Sequence, residues 1–417
     1  MKTTKIKVHV RNERDHERLR KLFGTVRFTY NQCVDYLRQN KDVRATKKLL
    51  RSLFVNNDSE LVKKNEWLLE TGYDIRDDAI SEFMTGMKGN FTKLKQKTQK
   101  FFKMNFKSKK RQRSETFYLR HRWIEQRDNT ITLNLPKMSP IVLWTSKDIN
   151  RAPILIDCKF QRAWTGDYYL CVPHAYGVES QDSIKHENLR VCSLDPGLRT
   201  FQTIFDASDS CAYEIAPRDI QRIVRLCVGL DKLSSKRDTA SDARRRYNYK
   251  RAFRRLAEKV RNLINEVHKQ LAKFLATNYD LVMIPKFDTF QMIRKSTRKI
   301  HSSSVRQMTT WAHYRFRERL IFKCRQYNCR VAVVDEAWTS KTCSSCGHIN
   351  YALGANKTFA CPACHVIMDR DVNGAKNIFL KNYEALGLCL TLGPTPSVSA
   401  TEQCTEAAMP LLNDNWF

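Results

Sequence analysis

The spacing of apolar residues predicts three kinds of segment in the first half of the chain. Residues 4–10 alternate polar and apolar positions, which predicts a β-strand. Between about residues 13 and 103, apolar residues recur at three- and four-residue steps, which predicts helices. Residues 115–175 contain short period-two runs separated by turns, typical of a small β-barrel or sandwich. We expect the opening strand to join this barrel, so that the helical segment is an insertion.

The second half of the chain alternates predicted strands and helices. Three apolar strands are predicted within residues 189–216, and the first ends in an Asp-Pro-Gly turn. The later elements are a long helix from about residue 242 to 277, a strand at 279–287, a helix at 302–328, a strand at 329–337 and a helix at 372–385. This is the element order of an RNase H-like domain, in which helices cover both faces of a mixed sheet.

Two segments lack such patterns. Residues 180–186 are polar and predict a linker. The segment after about Gly387 contains Pro394, Pro396 and several Ser and Thr residues, which predicts a disordered tail over residues 388–417.

The charge of the chain indicates a polyanionic partner. The 417 residues include 74 Lys and Arg against 43 Asp and Glu, for a formal net charge of +31. The tail from residue 388 onward has no Lys or Arg, so the excess lies in the rest of the chain. Nucleic acid is the partner that such a charge favours, the alternative being a basic surface that serves solubility alone.

The N-terminal and cysteine patterns favour a reducing compartment. The first twenty residues are charged and have no apolar core, so we expect no signal peptide, and no apolar run is long enough to predict a membrane span. Ten of the fourteen cysteines are scattered singly, as buried thiols are, and four are clustered.

The clustered cysteines predict a structural zinc site. They form two Cys-x2-Cys knuckles separated by fourteen residues, at Cys343, Cys346, Cys361 and Cys364. Two such turns complete a closed tetrahedron around one ion and leave no open coordination position. The alternatives are a disulfide pair or unrelated buried thiols. His348 and His365 lie nearby and are expected to be ordinary surface residues.

Two aspartates are candidates for a catalytic magnesium site. Asp195 ends an apolar strand before Pro-Gly, which predicts a carboxylate at the carboxyl edge of the sheet; the alternative is an ordinary turn aspartate. Asp371 stands at the start of the last predicted helix, where the alternative is a helix N-cap, and Asp369 is a weaker candidate. Hydrolysis of a phosphodiester with two Mg²⁺ requires three or four converging carboxylates.

The third carboxylate is harder to assign. No acid follows the strand that ends at Pro285-Lys286, whereas the next strand is followed by Asp335 and Glu336. Side chains alternate along a strand, so one of the two should face the site. Glu336 is favoured because its extra methylene extends its reach, and two solvent-facing acids are the alternative.

Two basic segments are candidate nucleic-acid contacts. The first, between residues 103 and 122, includes Lys109, Lys110, Arg111 and Arg113, with aromatic residues interleaved. The second lies along the predicted long helix and includes Arg244, Arg245, Arg246, Lys250, Arg251 and Arg254. A solvated helix face is the alternative for the second, and either run also fits a nuclear-localisation signal.

Four motifs in order resemble the TnpB nucleases encoded by transposons. They are LDPG at 194–197, WTSKTCSSCG at 338–347, CPAC at 361–364 and DRDVNGAKNI at 369–378. Most TnpB proteins carry a glutamate where this chain has Pro285. The eukaryotic and viral relatives called Fanzor often lack it and carry a glutamate just before the TSKTC segment, as in DEAWTSKTC here. The chain therefore resembles Fanzor more closely.

The resemblance implies an RNA-guided DNA endonuclease that cuts next to a short adjacent motif. It implies Mg²⁺ at Asp195, Glu336 and Asp371, structural Zn²⁺, a guide RNA, a double-stranded DNA target, a monomeric ribonucleoprotein and, in a eukaryotic host, the nucleus. The domains it implies are a wedge β-barrel (1–12 and 105–185), a helical recognition lobe (13–104), a RuvC-like domain (186–338 and 369–387) and a zinc ribbon (339–368).

Two other functions remain compatible with these residues. The missing acid at Pro285 suits an RNA-guided DNA-binding protein that cuts weakly or not at all. A DNA transposase or junction resolvase of RNase H-like fold uses the same arrangement of carboxylates.

Overall fold

Seven antiparallel strands form the sheet of the N-terminal unit, residues 1–175, in the computed structural model. The structure describes residues 2–40, 44–109, 114–145, 154–175, 189–217, 219–296, 298, 300–354, 356–386 and 407–409. The strands are β1 (Lys2–His9), β2 (Glu115–Leu119), β3 (Ile124–Arg127), β4 (Thr130–Leu133), β5 (Ile141–Thr145), β6 (Cys158–Arg162) and β7 (Tyr168–His174). Their order in the sheet is β2-β6-β7-β1-β5-β4-β3.

This sheet is a partly open form of the small barrel that the sequence predicted as one of two alternatives, the other being a sandwich. Its edge strands β2 and β3 are joined by only four residues, so the sheet must curl until its edges approach each other. No hydrogen bonds join these edges in the described residues. The apolar side chains of both edges share one core, including Phe117, Trp123 and Ile131. The helical turn His121–Trp123 between the two strands takes the place of ladder pairing.

Helices fill the interval between β1 and β2. They are α1 (Glu13–Gln39), α2 (Lys47–Phe54), α3 (Glu60–Lys64) and α4 (Tyr73–Lys95), with a 3₁₀ turn at Glu66–Glu70. Asn12 caps α1, since its side chain accepts a hydrogen bond from the Asp15 N–H at 2.7 Å. A separate apolar core that includes Val34, Leu50 and Phe83 packs these helices together.

The second unit, residues 176–417, contains a six-stranded mixed sheet. Its strands are β8 (Val191–Pro196), β9 (Gln202–Asp206), β10 (Cys211–Ile215), β11 (Leu281–Pro285), β12 (Arg330–Val334) and β15 (Ala407–Met409). The order is β12-β11-β8-β9-β10-β15, with β8, β11 and β12 parallel to one another and β9 antiparallel to its neighbours. Two short strands, β13 (Thr358–Ala360) and β14 (Ile367–Asp369), form a separate hairpin.

Helices cover both faces of this sheet, as the sequence predicted. They are α5 (Asp219–Thr239), α6 (Ala243–Asn278), α7 (Thr289–Ile293), α8 (Ser302–Trp311), α9 (His313–Gln326) and α10 (Arg370–Asn382). Helices α5, α6, α8 and α9 share a core with Leu194 and Phe201 on one face. On the other face, α10 packs against Val191, Phe205 and Met283.

The structure differs from the sequence predictions at three points. Helix α5 had no counterpart among the predicted elements. The single helix expected over 302–328 is two helices, because Ala312 adopts a left-handed conformation (φ +52°) between them. The predicted disordered tail contains β15, whose backbone pairs with the otherwise open edge of β10. The predicted linker 180–186 and the rest of the tail after residue 386 lie outside the described residues. No helix in the described part of the chain is long and apolar enough to span a bilayer.

Candidate metal centres

Asp195 faces α10 because side chains alternate along β8. The residues of β8 on that face are Val191, which packs with α10, Ser193, whose hydroxyl donates to the Ala375 carbonyl at 2.7 Å, and Asp195. A Cβ built on Gly374 would stand 2.6 Å from Asp195 Oδ2, so the helix backbone lies directly against the carboxylate. Only glycine permits this approach.

Contacts within the buried core hold the turn after Asp195 in place. A Cβ on Gly197 would stand 2.5 Å from the Thr200 carbonyl oxygen, so this tight turn also requires glycine. The indole of Trp311 donates a hydrogen bond to the Leu198 carbonyl at 3.0 Å. These contacts fix the carboxyl end of β8, and hence the position of Asp195.

Asp371 lies in the first turn of α10 and is not its N-cap. That role belongs to Asp369, whose Oδ1 accepts hydrogen bonds from the N–H groups of Asp371 at 2.8 Å and Val372 at 3.3 Å. Because Asp369 caps the helix, the carboxylate of Asp371 is available for another role. Burial, followed by the charge of Asp369, raises the pKa of Asp371.

Of the two acids after β12, Glu336 is on the side of Asp195. Ala332 and Val334 pack toward α10, and Glu336 follows in the same alternation. Asp335 is exposed, and its carboxylate binds Lys381 Nζ at 2.5 Å. Burial, followed by the charge of Asp335, raises the pKa of Glu336.

The three carboxylates are electrostatically linked but do not converge on one point. Burial, then the charges of Asp371 and Glu336, raises the pKa of Asp195 well above its ordinary value. Between β8 and β12 lies β11, so Glu336 reaches toward Asp195 across a neighbouring strand. Within the described residues, no three acids cluster as tightly as the four cysteines do.

A lysine and a glutamate that the sequence did not single out lie next to Asp369. Lys357 Nζ binds Glu214 at 2.8 Å and Asp369 at 3.2 Å, and Glu214 is buried at the end of β10. The Thr200 hydroxyl also donates to Glu214 at 3.2 Å. Lys357 and Glu214 are 143 residues apart, so no local sequence signal identifies them as a pair.

The four predicted cysteine ligands come together, and their sulfur atoms lie within 4.8 Å of one another. All four thiols are free, so neither the disulfide nor the scattered-thiol alternative applies. A hydrogen bond from the backbone N–H of Cys364 lowers the pKa of the Cys361 thiol to about 6, which favours the thiolate that binds metals. His348 and His365 are exposed, in keeping with their expected surface position. The four cysteines are therefore close enough to bind a metal ion.

Two buried asparagines of α10 anchor this cysteine module, residues 339–368, to the helix. Asn373 donates to the Thr342 carbonyl at 2.7 Å and accepts from the Ser344 N–H at 3.0 Å. Asn377 donates to the carbonyls of Thr339 at 2.9 Å and Thr342 at 2.6 Å. The first knuckle is thus tied to the same helix turns that carry Asp371.

The basic residues of α6 are crowded and exposed. Its first turns carry a row of exposed arginines, Arg244, Arg245, Arg246 and Arg251. Lys250 and Arg254 are half-buried beside them; burial, followed by the charges of Arg254 and Arg237, lowers the pKa of Lys250. Of the other basic segment, Lys109 is exposed, whereas Lys110, Arg111 and Arg113 lie outside the described residues.

Comparisons with known proteins match both the carboxylate region and the whole chain. A family model described as "Cas12f1-like, TNB domain" matches residues 313–378, which include Glu336, the four cysteines and Asp371. The putative transposase A625R of Paramecium bursaria Chlorella virus 1 is 29% identical over 393 residues, covering 91% of this chain and 87% of that protein. TnpB-like protein L79 of Acanthamoeba polyphaga mimivirus is 30% identical over 219 residues, covering 51% of this chain and 41% of that protein.

A solved structure shares the fold. The cryo-EM structure of a Cas12f1–sgRNA–target DNA complex matches with a TM-score of 0.50 and 15% identity, covering 87% of this chain and 82% of that chain. At this identity the match supports the fold alone.

Proposed function

The chain is a relative of the TnpB and Fanzor proteins, and from that relationship we propose that it is an RNA-guided DNA endonuclease. The observation that supports the proposal is the electrostatic link between three carboxylates at one edge of an RNase H-like sheet, where burial and then the charges of Asp371 and Glu336 raise the pKa of Asp195. Such an arrangement of carboxylates is costly without cations and is the donor set that Mg²⁺ prefers.

Asp195, Asp371 and Glu336 would together hold two Mg²⁺, and Asp195 is the most strongly perturbed of the three. Glu336 would replace the acid that β11 lacks at Pro285. The bound ions would supply an activated water and neutralise charge at the leaving oxygen. Asp369 and Lys357 hold the first turn of α10, and Gly374 lets that turn approach Asp195.

The cysteine module would hold one structural Zn²⁺. Four thiolates leave no open position on the ion, so the zinc would stabilise the module and, through Asn373 and Asn377, the position of α10.

Guide RNA and target DNA would bind along basic surfaces that include α6. Bound phosphates would neutralise the mutual repulsion of the crowded cations around Lys250. A protein of this kind recognises the geometry of the nucleic-acid backbone, whereas base pairing with the guide selects the sequence. We also propose that the protein acts next to a short target motif, as a monomeric ribonucleoprotein, in the nucleus of a eukaryotic host.

The test is cleavage by the purified ribonucleoprotein. RNA that co-purifies with the chain is sequenced, and a matched duplex is incubated with Mg²⁺. We expect the parent to cut, and Asp195→Asn to bind RNA and target but not to cut. Asp209→Asn, which changes an exposed acid in the β9–β10 turn, is the matched control and should cut normally.

Each other outcome favours a specific alternative. Equal cleavage by Asp195→Asn would remove the assignment of the site. RNA-dependent target binding without cleavage by the parent would favour the inactive binding protein. Absence of bound RNA together with DNA strand joining would favour a transposase, the word used for the chlorella virus relative.

A further inference from the structure

Two large aromatic side chains are exposed together, one of them two residues after Glu336. Trp338 is 56% exposed and Tyr351 is 71% exposed, and their rings contact each other edge to face with centroids 6.0 Å apart. By contrast, Trp311 and Phe316 of the same unit are fully buried. An exposed pair of aromatic rings has no packing reason within this unit and indicates a binding surface.

The backbone holds Trp338 in an unfavourable conformation. Its φ is +72°, a region that bulky residues rarely adopt. The Trp338 carbonyl accepts three hydrogen bonds, from the N–H of Lys341 at 2.9 Å and from the N–H and hydroxyl of Thr342, both at 3.0 Å. A strained residue that several contacts hold in place is typical of a functional position.

The turn that carries Trp338 is also fixed to α10. Asn377 donates to the Thr339 carbonyl at 2.9 Å, and Lys381 Nζ donates to the Ala337 carbonyl at 2.9 Å. These bonds, one on each side of Trp338, hold its backbone rigidly. The backbone that carries the ring is therefore restrained, so little backbone ordering entropy is left for a ligand to overcome.

The charge around the two rings suits a nucleotide. Lys341 Nζ lies 5.7 Å from the Trp338 ring centroid. Residues 337–356 contain Lys341 and no aspartate or glutamate. An aromatic face beside a cation complements an unpaired base and its phosphate, which is how proteins bind single strands without sequence preference.

We propose that Trp338 and Tyr351 form a stacking platform for an unpaired base of the nucleic-acid strand that enters the carboxylate site. The identity of the bound strand rests on the proposed nuclease function, whereas the location of the platform rests on the two exposed rings. Trp338 follows Glu336 by two residues, so their Cα atoms are at most about 7 Å apart. A base stacked on Trp338 would thus anchor the strand close to the carboxylates.

The test measures binding of a fluorescein-labelled oligo-dT of about ten nucleotides to the full-length protein, with and without its co-purified RNA. Trp338→Gly removes the ring and relieves the backbone strain, whereas Trp338→Phe keeps an aromatic face. We expect Trp338→Gly to weaken binding about 5- to 150-fold, the equivalent of one lost base stack, and Trp338→Phe to retain most of the affinity. The thermal midpoint of Trp338→Gly should equal or exceed that of the parent, because glycine adopts this φ without strain.

Two comparisons isolate stacking from charge. Ile367→Ala removes an equally exposed apolar side chain of the same module, at 71% exposure, and should bind like the parent. The effect of Trp338→Gly should persist at high salt, where phosphate contacts weaken, and should vanish with an abasic oligonucleotide of the same length.

Affinities of Trp338→Gly and the parent within about twofold would overturn the platform, given the size of one base stack. A lower thermal midpoint for Trp338→Gly, or an equal loss in Ile367→Ala, would also overturn it. The measurement does not depend on cutting. A parent that needs Trp338 to bind the oligonucleotide but cuts no matched target would contradict the proposed function and leave the platform standing.

Discussion

The backbone of Gly374 in α10 packs against the carboxylate of Asp195 in β8, leaving no room for a methyl group between them. The contact joins residues 179 positions apart, since 374 minus 195 is 179. It makes the first turns of α10 and the end of β8 a single rigid unit.

Gly374→Ala should therefore destabilise the protein by about 1–3 kcal/mol, because the added carbon must displace the carboxylate or the helix. Alanine normally stabilises a helix interior relative to glycine by roughly 0.5–1 kcal/mol. Gly89→Ala in α4, where a Cβ would meet no heavy atom within 4 Å, should show that gain. Urea unfolding measures the stability of both variants. Mg²⁺-dependent cleavage should fall in Gly374→Ala alone. Equal stability of the two variants would mean that the contact is loose.

Glu336→Gln and Asp335→Asn form a matched pair of neighbouring substitutions. Burial raises the pKa of Glu336, so its charge is costly until a cation binds. Glu336→Gln should raise the thermal midpoint of the metal-free protein and remove the further rise caused by Mg²⁺. Asp335→Asn weakens exposed contacts with Lys381 and with the Ala337 N–H, and it should leave cleavage within about twofold of the parent. The reverse pattern would assign the site to Asp335.

Asn373→Ala tests the link between the cysteine module and α10. The substitution leaves the Ser344 N–H without its partner and the Thr342 carbonyl with Asn377 as its remaining donor, at a cost of about 1–3 kcal/mol. Cleavage should fall, and removing zinc with a chelator should then add little further loss, because both changes break one connection. Asn350→Ala is the control, since Asn350 bonds the Ala360 carbonyl within the module and leaves α10 untouched. Additive losses from Asn373→Ala and chelation would show that the two act separately.

Two buried histidines predict acid sensitivity of the second unit. Burial lowers the pKa of His268 to about 3 and that of His313 to about 4. Because both values lie below the ordinary pKa of about 6.5, the unfolded chain takes up protons first. The stabilisation is complete above about pH 6.5 and is lost as the pH falls toward 4 and then 3. Urea unfolding between pH 7 and 4.5 should show this decline, and His268→Gln should reduce its slope even if it lowers stability at neutral pH. If the stability of His268→Gln declines with pH as steeply as that of the parent, His268 does not contribute to the acid sensitivity.

The central strands of the second sheet could be predicted because they are continuous apolar runs. β8 and β11 are buried on both faces, and α6 has a wide apolar stripe, so periodicity alone identified them. The break at Ala312 could not be predicted, since alanine is a good helix former. It is imposed by the packing of Trp311 and His313 on either side of it against Phe201. Helix α5 buries little beyond Ile220, Ile223 and Cys227, so its pattern is faint.

The residues of the candidate site also differ in whether a local sequence pattern could identify them. Asp195 and Asp371 stand next to Pro-Gly and Asn-Gly segments that mark special backbone positions. The choice between Asp335 and Glu336 could have been read from the alternation of β12, in which Ala332 and Val334 face α10. Lys357 and Glu214 could not have been found, because an ion pair between distant segments leaves no local pattern.

The acids of the proposed site are spread so that the last of them, Asp371, is encoded near the end of the described chain, on α10. A ribosome therefore finishes the N-terminal unit and most of the second sheet before Asp371 is added. Under the proposed function, nascent or prematurely terminated chains that stop before α10 would be able to fold the first unit yet would be unable to cut. Catalytic competence would thus be acquired only once α10 has been synthesised.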